Sequence, residues 1–114
     1  VRFLASDHKE HAAFAKEIFE KIDQGILKAE IIDGVLAEVY FVMTKVYKAP
    51  KLKILQDLKK IIAMQGIVGN KVLQMEVLNV LEHKNIDFVD ALLCAKKELY
   101  GYGILSFDKD VKKC

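Results

Sequence analysis

The sequence predicts an α/β fold: a parallel β-sheet flanked by helices, rich in helix, formed by a single domain over residues 1–114. Three observations lead there. Helical hydrophobic periodicity recurs along the chain. Three short strand candidates are separated by those helical segments, and such spacing needs crossover connections, which make neighbouring strands parallel. The last candidate, GILSF at 103–107, is almost wholly apolar, as in a strand buried on both faces.

Taken in order, residues 7–24 read as a helix, with Phe14, Ile18 and Ile22 on one face and Gly25 as its stop. AEII at 29–32 is a strand candidate. Asp33 is placed to cap a helix running to about residue 48. Pro50 interrupts, and the next amphipathic helix carries Leu55, Leu58 and Ile62 on one side. GIVG at 66–69 is a second short strand. Residues 72–82 are helical, with Leu73, Val77 and Leu81 on one face. Residues 88–100 form the next helix, ended by Gly101, and Asp110 is placed to start a last short helix or to stay in solvent. For a parallel sheet, three short strands are few.

Composition narrows the class. A chain of 114 residues with 53% apolar and 30% charged residues suits a globular domain rather than a disordered one. A net charge of +2 does not announce general attraction to nucleic acid, though a local basic patch is compatible with it. No apolar run reaches membrane-spanning length and no signal peptide is visible, so no membrane partner is expected. The two cysteines, Cys94 and Cys114, lack close metal-ligand spacing. Cys94 reads as a small core residue and Cys114 as a terminal one, so no disulfide is expected and a cytoplasmic location follows.

The acids carry the chemistry. In VLAEVYFVM (35–43) the sole charge is Glu38, on a helix apolar almost all round and therefore expected to be covered by protein on most sides. Either Glu38 lies on the one polar stripe, or it is a carboxylate that needs a hydrogen bond, a counter-charge, a metal or a proton. Asp87 and Asp90 open a helix, where unpaired amides and the helix dipole favour negative charge. Either both serve the helix end, or Asp87 alone caps and Asp90 faces a pocket. Asp108 follows the buried strand at 103–107, at the end where open parallel sheets bind ligands; a turn aspartate is the alternative. Glu38, Asp90 and Asp108 can fall on one edge of a parallel sheet. Crowded carboxylates repel unless a cation intervenes, and hard oxygen donors without nearby His or Cys suit Mg²⁺ or Mn²⁺.

Other candidates carry less. His8 and His11 are three apart but lack a further ligand. His83 sits near a helix end, where positive charge is favourable. TKVYKAPKLK (44–53) interleaves Lys45, Lys48, Lys51 and Lys53 with Tyr47; it suits phosphate contacts or a solvated helix end equally. No glycine-rich phosphate loop is present, and Ser106 has no histidine partner for a hydrolase triad.

VLAEVYFVMTKVY (35–47), DFVDALLCAKKE (87–98) and ILSFDKDV (104–111), in this order and at these separations, resemble a PIN domain, and within that family the VapC-type toxins of toxin–antitoxin pairs. The resemblance covers nearly the whole chain. It implies a metal-dependent ribonuclease in which Glu38, Asp90 and Asp108 are catalytic residues and ligands of Mg²⁺ or Mn²⁺. Ser106 matches a supporting hydroxyl position, and Asp87 is assigned less securely to the metal. The implied partners are an RNA substrate, an antitoxin protein and a second copy of the chain in a homodimer. One departure stands out. Family members open with a strand ending in Asp-Thr-Asn, the source of the first catalytic aspartate, whereas this chain starts at VRFLASDHKEH, which resembles the segment just after it. The first strand is therefore expected to be missing, and Asp7 is no substitute. The rival expectation is a catalytically inactive PIN-like binding or scaffold module. A phospho-acceptor receiver domain is disfavoured because its paired acids near a first strand are not seen.

Overall fold

The computed structural model describes residues 9–103 and 114. Helix α1 spans Lys9–Asp23, strand β1 Ala29–Glu30 and helix α2 Asp33–Phe41. A π-helical turn, Val42–Val46, continues α2. Helix α3 spans Lys51–Ile62, strand β2 Ile67–Val68, helix α4 Lys71–His83 and helix α5 Phe88–Tyr100.

The architecture is a helical stack rather than a sheet with helical covers. Helix α4 packs against α5 on one side and α3 on the other. Helix α2 rests on α5, and the π-turn rests on α3. Each of α3, α4 and α5 presents an apolar stripe at helical spacing, and these stripes meet. Leu55, Leu58 and Ile62 come from α3, Leu73, Val77, Leu78 and Leu81 from α4, and Ala91, Cys94 and Ala95 from α5, all buried. Withdrawing a side chain of the Leu or Ile size from water contributes about 1.5–3 kcal/mol, so this cluster holds the three helices together.

The helix ends are set locally. Asn70 caps α4, its side-chain oxygen accepting from the Leu73 amide at 3.2 Å. Asp87 caps α5 as expected, and Gly101 closes it at φ +69°, in the left-handed region that glycine enters without a Cβ penalty. Gly25 ends the turn after α1 at φ +78°. Asp33 is not a cap: it is the first residue of α2, and Ile32 precedes it without a side-chain hydrogen bond. The expected single helix to about residue 48 also divides, with its α-helical part ending at Phe41.

The expected α/β sheet is corrected. Among the described residues the sheet has two strands of two residues each, β1 and β2, paired in parallel with Ala29 opposite Ile67 and Glu30 opposite Val68. This is a helix-rich fold with a minimal parallel ribbon, not a PIN-like sheet flanked by helices. Two physical reasons shorten the ladder. The Gln74 amide donates to the Ile31 carbonyl at 2.5 Å, taking an acceptor that a longer ladder would use, and Ile32 already enters α2. On the other strand, Gly69 turns to φ +108° and ends the extended run. Gly66, just before β2, lies against the Ile22 and Leu27 carbonyl oxygens, where a Cβ has no room. The third strand candidate, 103–107, falls outside the described residues beyond Gly103.

Candidate functional site

The two aspartates at the start of α5 are placed differently. Asp87 Oδ1 accepts the Asp90 amide at 2.9 Å, so Asp87 performs the capping. Asp90 is 4% exposed, making it, with Gln74, a buried polar side chain in the described core. A carboxylate in the first turn gains from the helix dipole, which offsets part of its burial. Asp87 is thus the capping residue, and Asp90 is a buried acid in the first turn of the helix.

Glu38 stands on α2, which packs on α5, so two of the acids named from the sequence belong to adjacent helices. Glu38 itself is exposed, on the solvent side of α2. The expectation that protein covers this helix on most sides is also corrected. Leu36 is buried, while Val35 and Phe41 are exposed, because α2 meets neighbours on one side and has apolar residues all round. Asp108 and Ser106 lie outside the described residues.

The donor chemistry of the acids suits a hard divalent cation, but the described residues do not assemble a site for one. Among them, no three His, Cys, Asp or Glu side chains come close enough to hold a metal. Glu38 and Asp90 are two acids on neighbouring helices, and no chemical step is assigned through an ion.

A cavity of about 410 Å³ lies between the C-terminal half of α2, the π-turn and the segment leading into α5. Tyr40 and Phe41 line it from α2, Lys45 from the π-turn, Lys51 from the start of α3, Asp87 from the cap of α5 and Phe88 from its first turn. Tyr40 and Phe88 are in contact, with ring centroids 6.4 Å apart. Burial pushes the Tyr40 hydroxyl above its ordinary value of 10.0, keeping the phenol neutral. Sequence reasoning had named Lys45, Lys51 and Asp87 but not the aromatic wall. The rings fall in segments separated by more than forty positions, so periodicity along the chain gives no sign of them.

Two further features were not foreseen. Glu76 on α4 and Glu98 on α5 face each other. The Glu76 carboxyl is raised above its ordinary 4.5 by burial first, then by the charge and hydrogen bond of Glu98, with Asn79 and His83 pulling the other way. And Cys94 is joined by a disulfide to Cys114, their Cα atoms 5.3 Å apart. Cys94 is buried as expected, but neither cysteine is free, and the expectation of no disulfide is overturned. Spacing could not show it, because the bond depends on where the chain returns. It also removes the cysteine argument for a reducing compartment. No helix among the described residues is long and apolar enough to cross a membrane.

Comparison with family models, curated proteins and solved structures finds no match to this chain.

Proposed function

We propose that the chain is a metal-dependent endoribonuclease, the toxin of a toxin–antitoxin pair, with Glu38, Asp90 and Asp108 as its acids and Mg²⁺ or Mn²⁺ as its cofactor. The observation that supports this reading most is the division of labour at the start of α5. Asp87 satisfies the helix end, yet a second carboxyl three residues on is buried. Burying a carboxylate costs several kcal/mol, by order of magnitude, unless its surroundings compensate. A buried acid that is not the capping residue is a candidate functional carboxylate. The ordered resemblance of three motifs to PIN-domain ribonucleases supplies the reaction class, and with it the antitoxin and the homodimer as partners.

A second reading, a catalytically inactive binding or scaffold module, is favoured by one observation. Glu38 is exposed, and the described residues contain no cluster of three acids.

The test is Mn²⁺-dependent cleavage of structured RNA by this chain and by a version extended through any Asp-Thr-Asn strand encoded upstream, with Asp90→Asn as control. The nuclease reading expects cleavage that Asp90→Asn abolishes while circular dichroism stays unchanged, because Asn keeps the shape and removes the charge. Undiminished cutting by Asp90→Asn would make Asp90 a helix-end residue. No metal-dependent cleavage by either version favours the binding module.

A further inference from the structure

We propose that the cleft between α2, the π-turn and the start of α5 is a nucleotide-binding subsite for single-stranded RNA, with a base against Phe41 and a phosphate at Lys45 and Lys51. The choice of RNA as ligand rests on the proposed function; the site itself rests on geometry. Its volume of about 410 Å³ falls in the range of small-molecule pockets. Its lining combines two chemistries. Tyr40, Phe41 and Phe88 form an aromatic wall, and Lys45 and Lys51 stand at its edge. A flat base joined to a phosphate is the ligand that uses both at once.

The lysines are differentiated by the fold. Lys51 Nζ donates to the Lys84 carbonyl at 3.1 Å, which holds the ammonium in place and leaves further N–H donors for an anion. Lys45 is exposed on the π-turn and forms no salt bridge among the described residues. Lys53, from the same basic stretch, is instead bound to Asp57 at 3.0 Å. Asp87 is the acid in the lining, and its charge is directed to the helix end through the Asp90 amide. Only two of the four lysines in TKVYKAPKLK therefore face the cleft.

The backbone beside the cleft is unusual. The Tyr47 amide donates to the Val42 carbonyl, five residues back, and Thr44 Oγ1 donates to the Tyr40 carbonyl at 2.7 Å. Ala37, Tyr40, Phe41, Thr44 and Lys45 share the cleft wall at the spacing of a single helix face. Just beyond, Lys48 adopts φ +59°, a left-handed conformation that costs a lysine energy. Single π-turns and such residues concentrate at functional sites. Phe41 is 59% exposed, so an aromatic face stands ready at the rim without a protein partner covering it.

The test is fluorescence anisotropy of a labelled ten-nucleotide oligouridine in EDTA, so that binding is read apart from metal-dependent cleavage. The expected result is binding that weakens about ten-fold in Phe41→Ala and in Lys45→Ala, the size expected for losing one stacked base or one phosphate contact. Lys45→Ala should also flatten the salt dependence by about 0.7 in log–log slope, one phosphate's worth on a single strand. Lys53→Ala should bind as the parent does. Both test positions are exposed, so unchanged circular dichroism separates lost contacts from lost fold. Absence of binding by the parent, unchanged binding by Phe41→Ala and Lys45→Ala, or an equal loss in Lys53→Ala would each overturn the subsite. The two proposals fail separately. Binding without cleavage leaves the subsite and removes the nuclease. Cleavage that Phe41→Ala and Lys45→Ala leave untouched does the reverse.

Discussion

The α4–α5 pair and the stretch from α2 through the π-turn are built from similarly apolar sequence and end differently. In α4 and α5 the apolar residues recur at helical spacing and most go inside; Leu78, Leu81, Ala91 and Ala95 have no exposed surface, while Val72, Val89 and Leu99 lie off the buried stripe and stay exposed. Their ends are satisfied by Asn70, Asp87 and Gly101. In the α2 stretch only Leu36 and Met43 are buried, while Val35, Phe41, Val46 and Tyr47 face outward. Its start lacks a side-chain cap and its end runs into the π-turn and a left-handed lysine. Apolar content alone does not bury a helix. A helix buries the stripe its neighbours meet, and an apolar residue off that stripe stays in water.

The largest effect expected from this contrast is in the core. Leu78→Ala should cost about 2–5 kcal/mol in urea unfolding, because it empties space among α3, α4 and α5. Phe41→Ala should change stability by no more than about 0.5 kcal/mol, since the ring is largely in water. Equal losses would erase the distinction between the two regions. Next in size is the disulfide, which ties the buried face of α5 to Cys114 across 20 positions. Reduction, or Cys114→Ser, should lower stability by up to about 3 kcal/mol, read as a thermal midpoint that responds to dithiothreitol in the parent and not in the variant. An unresponsive parent would show that the bond adds nothing to the α4–α5 scaffold.

The smallest effect sharpens the picture of α4 against α5. Because the Glu76 carboxyl titrates above its ordinary 4.5, the native state holds that proton more tightly than the unfolded chain. The group thus adds stability below pH 4.5 and loses it as pH rises through the raised value. Once ionised, the Glu76 carboxylate is disfavoured by its burial first and then by Glu98. Glu76→Gln should therefore raise the thermal midpoint at pH 7, by an amount worth roughly a few tenths of a kcal/mol. It should also flatten the dependence between pH 4 and pH 7. A pH profile identical to the parent's would show that Glu76 does not titrate above its ordinary value in solution.

Much of the helical layout was legible because its signals are local. The stripe Leu73, Val77 and Leu81, the cap at Asp87 and the stop at Gly101 each depend on a few adjacent residues. The interrupted helix after Asp33 was not legible. A π-turn arises from which carbonyls and amides pair, and its sequence remains that of a good helix. The sheet was over-read for a similar reason. AEII is a fair strand by composition, but Gln74, more than forty positions later, occupies the Ile31 carbonyl. Of the candidate site, the pair of aspartates at the start of α5 was visible, and the hydrogen bond from the Asp90 amide to Asp87 shows which of them caps.

The sequence by itself determined where helices form and which stripe of each is apolar, because backbone hydrogen bonds and side-chain spacing within a helix are short-range. It also marked the acids and the basic stretch worth following. Tertiary structure alone decided which lysines share a cleft with aromatic rings, that Glu76 meets Glu98, that Cys94 meets Cys114, and that Asp90 is buried while Glu38 is not. Each of those outcomes depends on how helices far apart in the chain pack, and packing is set by the summed fit of whole faces rather than by any one motif.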